Sequence, residues 1–351
     1  MIPPRSAELP SPKPALGRQE ALQLARRFFG LEGQVSPLVS YCDQNYRLDG
    51  DEGTWVLKIA NANERMEWLD LQNRAMDRLA DARPWFGSPR ACPSVNGRTV
   101  ESVSGVAGQR HGVRLVTWVD GVPWDEGPVA EPTQCRQLGR LVGEVVEVLA
   151  GFEHPAMDRY QAWDPLRLPD ARPKLDAVAD PHRRDLARRC LDRFESRVLP
   201  RLSGLPTQVA HTDVNNTNVL VEGACGSARV VGVIDFGDAV RTVRIAELGI
   251  AVAYAMLGRT DPLAVADEVV AGYLEVSELL PEERDMLLEI VVARLVMSVT
   301  TSASQLRIDP ANTYLSLCAE PAWALLERLG RPSAPNLGHG HELPTPGIGS
   351  R

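Results

Sequence analysis

The sequence predicts an α+β chain built as two lobes, a small β-rich one followed by a larger, mainly α-helical one. Three features carry that expectation. Up to about residue 120 the apolar residues fall into short strand-like runs with one helix-like stretch among them. From about residue 130 they recur at helical spacing instead. A polar signature, His211-Thr212-Asp213 with Asn218 five residues on, then interrupts the helices and is followed by Val233-Ile234-Asp235-Phe236-Gly237.

In chain order, residues 34–41 and 46–49 read as strands with Asp43-Gln44-Asn45 between them, and residues 54–60 as a strong strand. Residues 63–80 read as a helix, because Met66, Leu69, Asn73, Met76 and Leu79 share one face. Residues 98–103 and 114–119 are further strands, and a link falls near Asp120-Gly121. Helices are expected over 134–149, 181–199, 244–257, 263–274, 281–305 and 312–329. Residues 219–222 and 229–234 read as two short strands joined by a Gly-containing turn, a hairpin that brings Asn218 and Asp235 together at one end. The expected organisation is thus a tail over 1–16, a nucleotide-clamp lobe over 17–120, a catalytic lobe over 121–330 and a tail over 331–351. His339 and His341 in the second tail read as solvated residues rather than a metal site.

Composition removes several function classes. The 351 residues are 44% hydrophobic and 24% charged, as in a globular protein, and the net charge of −8 comes without the basic cluster that nucleic acid demands. No apolar run is read as reaching membrane-spanning length, since charge interrupts the helical stretches, and residues 1–14 show no export signal. The six cysteines are scattered without a C-x-x-C pair, which fits reduced thiols in a cytoplasmic protein and argues against a zinc site.

The polar signature fits phosphoryl transfer. That reaction needs a carboxylate beside the attacking hydroxyl and oxygen ligands for a divalent cation on the triphosphate. Asp213 is the candidate base, and Asn218 and Asp235 the candidate ligands of Mg2+ or Mn2+. A buried histidine, a capping aspartate and a turn asparagine give the same first motif, but the second motif at hairpin distance argues for the reactive reading. Lys58 lies mid-strand among apolar residues, where a lysine either reaches out to solvent or meets a buried anion; with the signature downstream, it reads as the lysine on the phosphates of ATP or GTP.

These motifs resemble the protein-kinase-like fold in its aminoglycoside/choline phosphotransferase branch, over about residues 20–330. The runs Ser40-Tyr41-Cys42-Asp43-Gln44-Asn45-Tyr46, Leu57-Lys58-Ile59-Ala60-Asn61, residues 69–76, residues 233–238, residues 246–251 and residues 309–315 are similar to hydroxylysine kinase and its bacterial relatives. The resemblance implies that Asp43, Gln44 and Asn45 stand where other kinases carry a Gly-rich phosphate loop, and that the backbone of Thr117 and Val119 faces the base. It sets Gln72 where a kinase carries the glutamate that pairs with the lysine, with Glu67 and Asp70 as rival partners. His211 is given a structural role and Glu247 one of bracing the catalytic loop. Asp238, Asp164 and Trp163 are implied at the acceptor site, although Asp238 equally suits a helix cap. A functional link to a pyridoxal-phosphate enzyme is also implied.

The catalytic motif has no arginine before Asp213, and no Ala-Pro-Glu follows Asp235, so a protein kinase is disfavoured. Three readings stand: a kinase of a small cationic hydroxyl acceptor, 5-hydroxy-L-lysine first; an aminoglycoside phosphotransferase; and a nucleotide-binding pseudokinase. Arg241, Arg244 and Arg294 are candidates to fork onto an acceptor carboxylate.

Overall fold

The structure, a computed structural model, describes residues 13–40, 42–105, 108–128, 130–308, 310 and 319–330. Tyr41, the 309–315 run apart from Pro310, the start of the 312–329 helix, the chain up to residue 12 and the tail with His339 and His341 lie outside the described residues. The chain divides into two compact units: Met1–Asp120 with Glu153–Arg159 and Gly232–Ala239, and Gly121–Phe152 with Tyr160–Val231 and Val240–Arg351.

The first unit runs α1 (Arg18–Phe29), β1 (Gln34–Leu38), β2 (Gln44–Gly50), β3 (Gly53–Ile59), α2 (Met66–Ala82), β4 (Ala91–Cys92), β5 (Glu101–Ser104) and β6 (Arg110–Thr117). The strands form one antiparallel sheet in the order β1-β2-β3-β6-β4, with β5 also on β6. Alternation sorts its faces. Tyr46, Leu48, Leu57, Ile59, Val113 and Leu115 join Leu24 and Phe28 of α1 in a buried cluster. Asn45, Lys58 and Arg114, on the opposite side of the pleat, stand in register across β2, β3 and β6. The sequence reading, with one helix in this lobe, passes over α1. Its signals are local, however: Ala21, Leu24, Ala25 and Phe28 at helical spacing, and Gly30 at φ 67° closing the last turn.

The second unit contains β7 (Val122–Pro123), α3 (Pro132–Leu149), a 3-10 stretch (Pro165–Ala177), α4 (Pro181–Arg193), α5 (Leu199–Leu202), β8 (Thr207–Ala210), β9 (Val219–Glu222), β10 (Arg229–Val233), β11 (Val240–Val243), α6 (Ile245–Ala255), α7 (Pro262–Leu274), α8 (Pro281–Ile308) and α9 (Ala319–Leu329). The last two residues of β10 belong to the first unit. β9 pairs with β10 on one side and β7 on the other, and β11 pairs with β8. The helix expected over 181–199 is broken. It ends at Arg193, widens into a π turn over Phe194–Val198, and only then continues as α5. Pro200 gives the reason, since its ring meets the carbonyl four residues back and it donates no hydrogen bond.

α8 corrects the reading that no segment reaches spanning length. By length and composition it does, yet 83% of its most apolar window is buried, against α6, α9 and the 3-10 stretch. The amphipathic pattern weakens there because a helix packed on several sides has no solvent face to mark.

α3 and α7 touch backbone to backbone. A Cβ on Gly139 would lie 1.9 Å from the carbonyl oxygen of Val269, and one on Gly272 would lie 1.9 Å from that of Arg136. α3 in turn backs the strand leading to the catalytic motif, because Gln208 of β8 donates to the Val146 carbonyl at 2.8 Å. Gly139→Ala gains about 1 kcal/mol of helix propensity. The new methyl meets backbone that no rotamer change can move, and such overpacking costs about 1–3 kcal/mol or more. A net loss of stability is therefore expected, read as a lower denaturant midpoint. An unchanged midpoint would show that the two helices separate freely.

Candidate active site

In the first unit, Lys58 Nζ donates to Asp235 Oδ1 at 3.0 Å, with 12% of the lysine side chain and 45% of the aspartate exposed. Asp235 sits at φ 62°, a left-handed conformation rare outside glycine, and its Oδ1 also accepts from Gly237 N at 3.3 Å. The strand reaches that turn through a close glycine contact. Val233 N donates to the Gly87 carbonyl at 3.0 Å, and a Cβ on Gly232 would come within 2.5 Å of that oxygen.

The structure does not bring Gln72 to Lys58. Its Nε2 donates to Glu64 Oε1 at 3.0 Å and to the Gly237 carbonyl at 3.3 Å, while its Oε1 accepts from Arg114 Nη2 at 2.6 Å. Arg114 stands beside Lys58 on the next strand and is buried; burial pulls its pKa down, opposed by the charges of Asp43, Asp235 and Glu64. A buried guanidinium requires acceptors, and Gln72 Oε1 and Asn73 Oδ1 (3.0 Å) supply them. The rival acids are also engaged elsewhere, Glu67 with Arg65 and Asp70 with Arg74 and His154. Arg159, buried over the Trp68 ring, holds the turn after Asp235 through the carbonyls of Gly237 and Ala239 and pairs with Glu64.

Of the turn residues, Asp43 Oδ1 accepts from Asn61 N at 2.8 Å. The Gln44 amide is tied to both backbone groups of Leu16, at 2.8 and 2.9 Å, so it secures the lead-in to α1. Asn45 is buried in line with Lys58. Thr117 is fastened to Arg90 through both its backbone N–H and its hydroxyl, while Val119 is half-buried just beyond β6. Asp238 is half-buried at the end of the 3-10 turn Phe236–Asp238.

In the second unit, the loop after β8 turns at Thr212, a β-branched residue held at φ 61°. Glu247, fully buried near the start of α6, secures that strained loop. Its Oε2 accepts from His211 N at 2.6 Å and from Thr212 N at 3.2 Å. His211 is buried, and its Nδ1 accepts from Asp213 N at 3.2 Å, so the imidazole braces the loop from inside.

Both oxygens of Asp213 are oriented. Oδ1 accepts from Asn215 Nδ2 at 2.9 Å and Arg294 Nη2 at 2.5 Å, and Oδ2 accepts from Asn218 Nδ2 at 2.7 Å. Arg294, 2% exposed, also donates to the Trp163 carbonyl at 3.1 Å and lies 4.8 Å from the Trp163 ring centroid and 5.4 Å from that of Tyr254. Sequence reasoning named Arg294 only as one of several arginines for an acceptor carboxylate; its partner, 81 positions away in the chain, leaves no local trace. Of the other two, Arg244 is forked onto the buried Glu283 at 2.8 Å and Arg241 is exposed. Asp164 is also placed differently from the acceptor reading. It is buried and caps the 3-10 stretch, accepting from Leu166 N at 3.1 Å and Thr242 Oγ1 at 2.7 Å, and burial raises its pKa.

Asn218, in the second unit, and Asp235, in the first, each carry an oxygen donor of the kind a hard divalent cation takes. The Asn218 amide nitrogen is taken by Asp213, which leaves its oxygen as the ligand atom. Among the described residues no group of three or more His, Cys, Asp or Glu could hold a metal.

Burial pushes the Glu247 carboxyl up to about 7, with Asp213 raising it and the two backbone N–H groups and Arg294 opposing. The native state then keeps a proton that the unfolded chain loses, so this group's contribution to stability falls as pH rises from about 4.5 to about 7. Glu247→Gln keeps an acceptor for the loop and removes the titration. Relative to wild type, its denaturation midpoint should improve as pH rises through that window. A difference that stays constant with pH would show that Glu247 does not titrate there.

Comparisons with known proteins give the family. Residues 35–287 match the phosphotransferase enzyme family. Hydroxylysine kinase of Mus musculus is 28% identical over 343 residues, covering 91% of this chain and 90% of the relative. That of Xenopus laevis is 29% identical over 345 residues, covering 92% of each. Among solved structures, an amicoumacin kinase in complex with AMP-PNP and Ca2+ aligns with a TM-score of 0.67 at 14% identity, over 89% of this chain and 93% of that one. A microcompartment-associated aminopropanol kinase aligns at 0.63 and 20% identity, over 88% and 96%. The match over residues 35–287 and the similarity to hydroxylysine kinases along nine tenths of the chain agree: the chain is a member of the phosphotransferase enzyme family, a small-molecule kinase that phosphorylates a hydroxyl group.

Proposed function

We propose that this kinase transfers the γ-phosphate of ATP or GTP to a hydroxylated amino acid, 5-hydroxy-L-lysine first. The observation that carries the reading is the buried Arg294 guanidinium on the Asp213 carboxylate. That pair fixes the direction of the carboxylate that would take the hydroxyl proton. The similarity to hydroxylysine kinases along nine tenths of the chain supports the same acceptor class.

In this reading Asp213 orients the acceptor hydroxyl and takes its proton, Lys58 binds the phosphates, and Asp238 meets an acceptor ammonium. Asn218 and Asp235 hold Mg2+ or Mn2+, which when bound offsets charge on the phosphates. Phosphoryl transfer leaves little covalent work to the protein, so the fixed direction of Asp213 is its main contribution there.

Asp213→Asn removes the base, so kcat should fall by about three orders of magnitude, within the range of general-base catalysis. Retention of more than about a tenth of the wild-type rate would remove Asp213 from that role. Across acceptors, kcat/KM for hydroxylysine should exceed that for choline at least tenfold, about 1.4 kcal/mol of transition-state binding. A preference for kanamycin would place the enzyme with the antibiotic kinases instead.

A further inference from the structure

We propose that Lys174 is a specificity-determining residue that binds the carboxylate of the acceptor. The proposal rests on the amino-acid reading above and adds which group reads the carboxylate.

Lys174 lies on the buried side of the 3-10 stretch. Ala171, Leu175 and Val178 are core residues, and Lys174 shares their spacing. Its Nζ donates to Thr301 Oγ1 of α8 at 3.0 Å, a neutral partner. Among the described residues no carboxylate stands within ion-pair distance of it. Burial lowers its pKa, and Asp170 opposes the shift only from a distance. A half-buried ammonium held by one hydroxyl is a site prepared for an anion, since its remaining protons have no charged acceptor.

α8 connects this ammonium to the chemistry. Arg294, Ser298 and Thr301 fall at i, i+4 and i+7, one line along the helix, with Leu295, Val296, Met297 and Val299 between them and Thr300 and Ser302 beside its end. Arg294 touches Asp213 at one end of that line, and Thr301 touches Lys174 at the other. Seven residues of helix rise about 10 Å, which is the axial separation of the two helix positions that touch Asp213 and Lys174. In 5-hydroxylysine four C–C bonds of ~1.5 Å separate the hydroxyl carbon from the carboxylate carbon. With a hydrogen bond of ~2.8 Å at each end, the extended molecule reaches about the same distance. A β-hydroxyl, two bonds from its carboxylate, falls short of it.

The test compares hydroxylysine with 1,5-diaminopentan-2-ol, which keeps both amines and the hydroxyl but lacks the carboxylate, and with serine. Wild type should favour hydroxylysine over both. Lys174→Met should lower the ratio of kcat/KM for hydroxylysine to that for diaminopentanol at least thirtyfold, chiefly through the hydroxylysine KM, and Lys174→Arg should restore part of it. A thermal melt of each variant reports folding separately. If wild type turns over hydroxylysine but Lys174→Met leaves the ratio unchanged, Lys174 does not read the carboxylate and the acceptor assignment stands. If wild type prefers diaminopentanol or choline, both are overturned.

Discussion

Arg294 and Asp213 meet at 2.5 Å where the arginine has almost no contact with solvent, and the arrangement around the loop after β8 depends on that contact. A buried ion pair contributes little net stability, because desolvating both charges offsets their attraction, but losing one partner leaves the other exposed to a cost of about 3–5 kcal/mol. The pair therefore fixes direction more than it stabilises. The guanidinium is held against two aromatic rings and a carbonyl, and the carboxylate by two asparagine amides. The Asp213 oxygens thus have one orientation. The strained Thr212 just before them is held by Glu247, whose burial is the reason it resists ionisation.

The first unit distributes charge differently. Two cations, Lys58 and Arg114, stand side by side on one face of the sheet, and α2 supplies a neutral Gln72 rather than an acid. Asp235 becomes the partner of Lys58, while Arg114 takes the amide oxygens of the helix. The same Gln72, with Arg159 and Glu64, reaches the carbonyls that follow Asp235. α2 and the Asp235 turn are consequently one hydrogen-bonded unit, in which a change at Gln72 is felt at the turn that carries Asp235.

Much of this was readable residue by residue. The 211–218 and 233–237 motifs, the strands around Lys58 and the long helices follow from spacing and composition, because each is specified within a few neighbouring positions. α1 had the same local signals. Asp164 shows the opposite case: its chemistry suited an acceptor acid, yet Thr242, 78 positions on, makes it a buried cap.

The sequence by itself determined most of the element types and the reaction class, since periodicity and motif spacing are local properties of the chain. Only the tertiary structure decided which charge faces which: Gln72 to Arg114 rather than Lys58, Arg294 to Asp213, Lys174 to a lone hydroxyl. The physical reason is that the partner of a buried charge is chosen by which side chains the fold carries out of water together, and those lie 42, 81 and 127 positions apart in the chain.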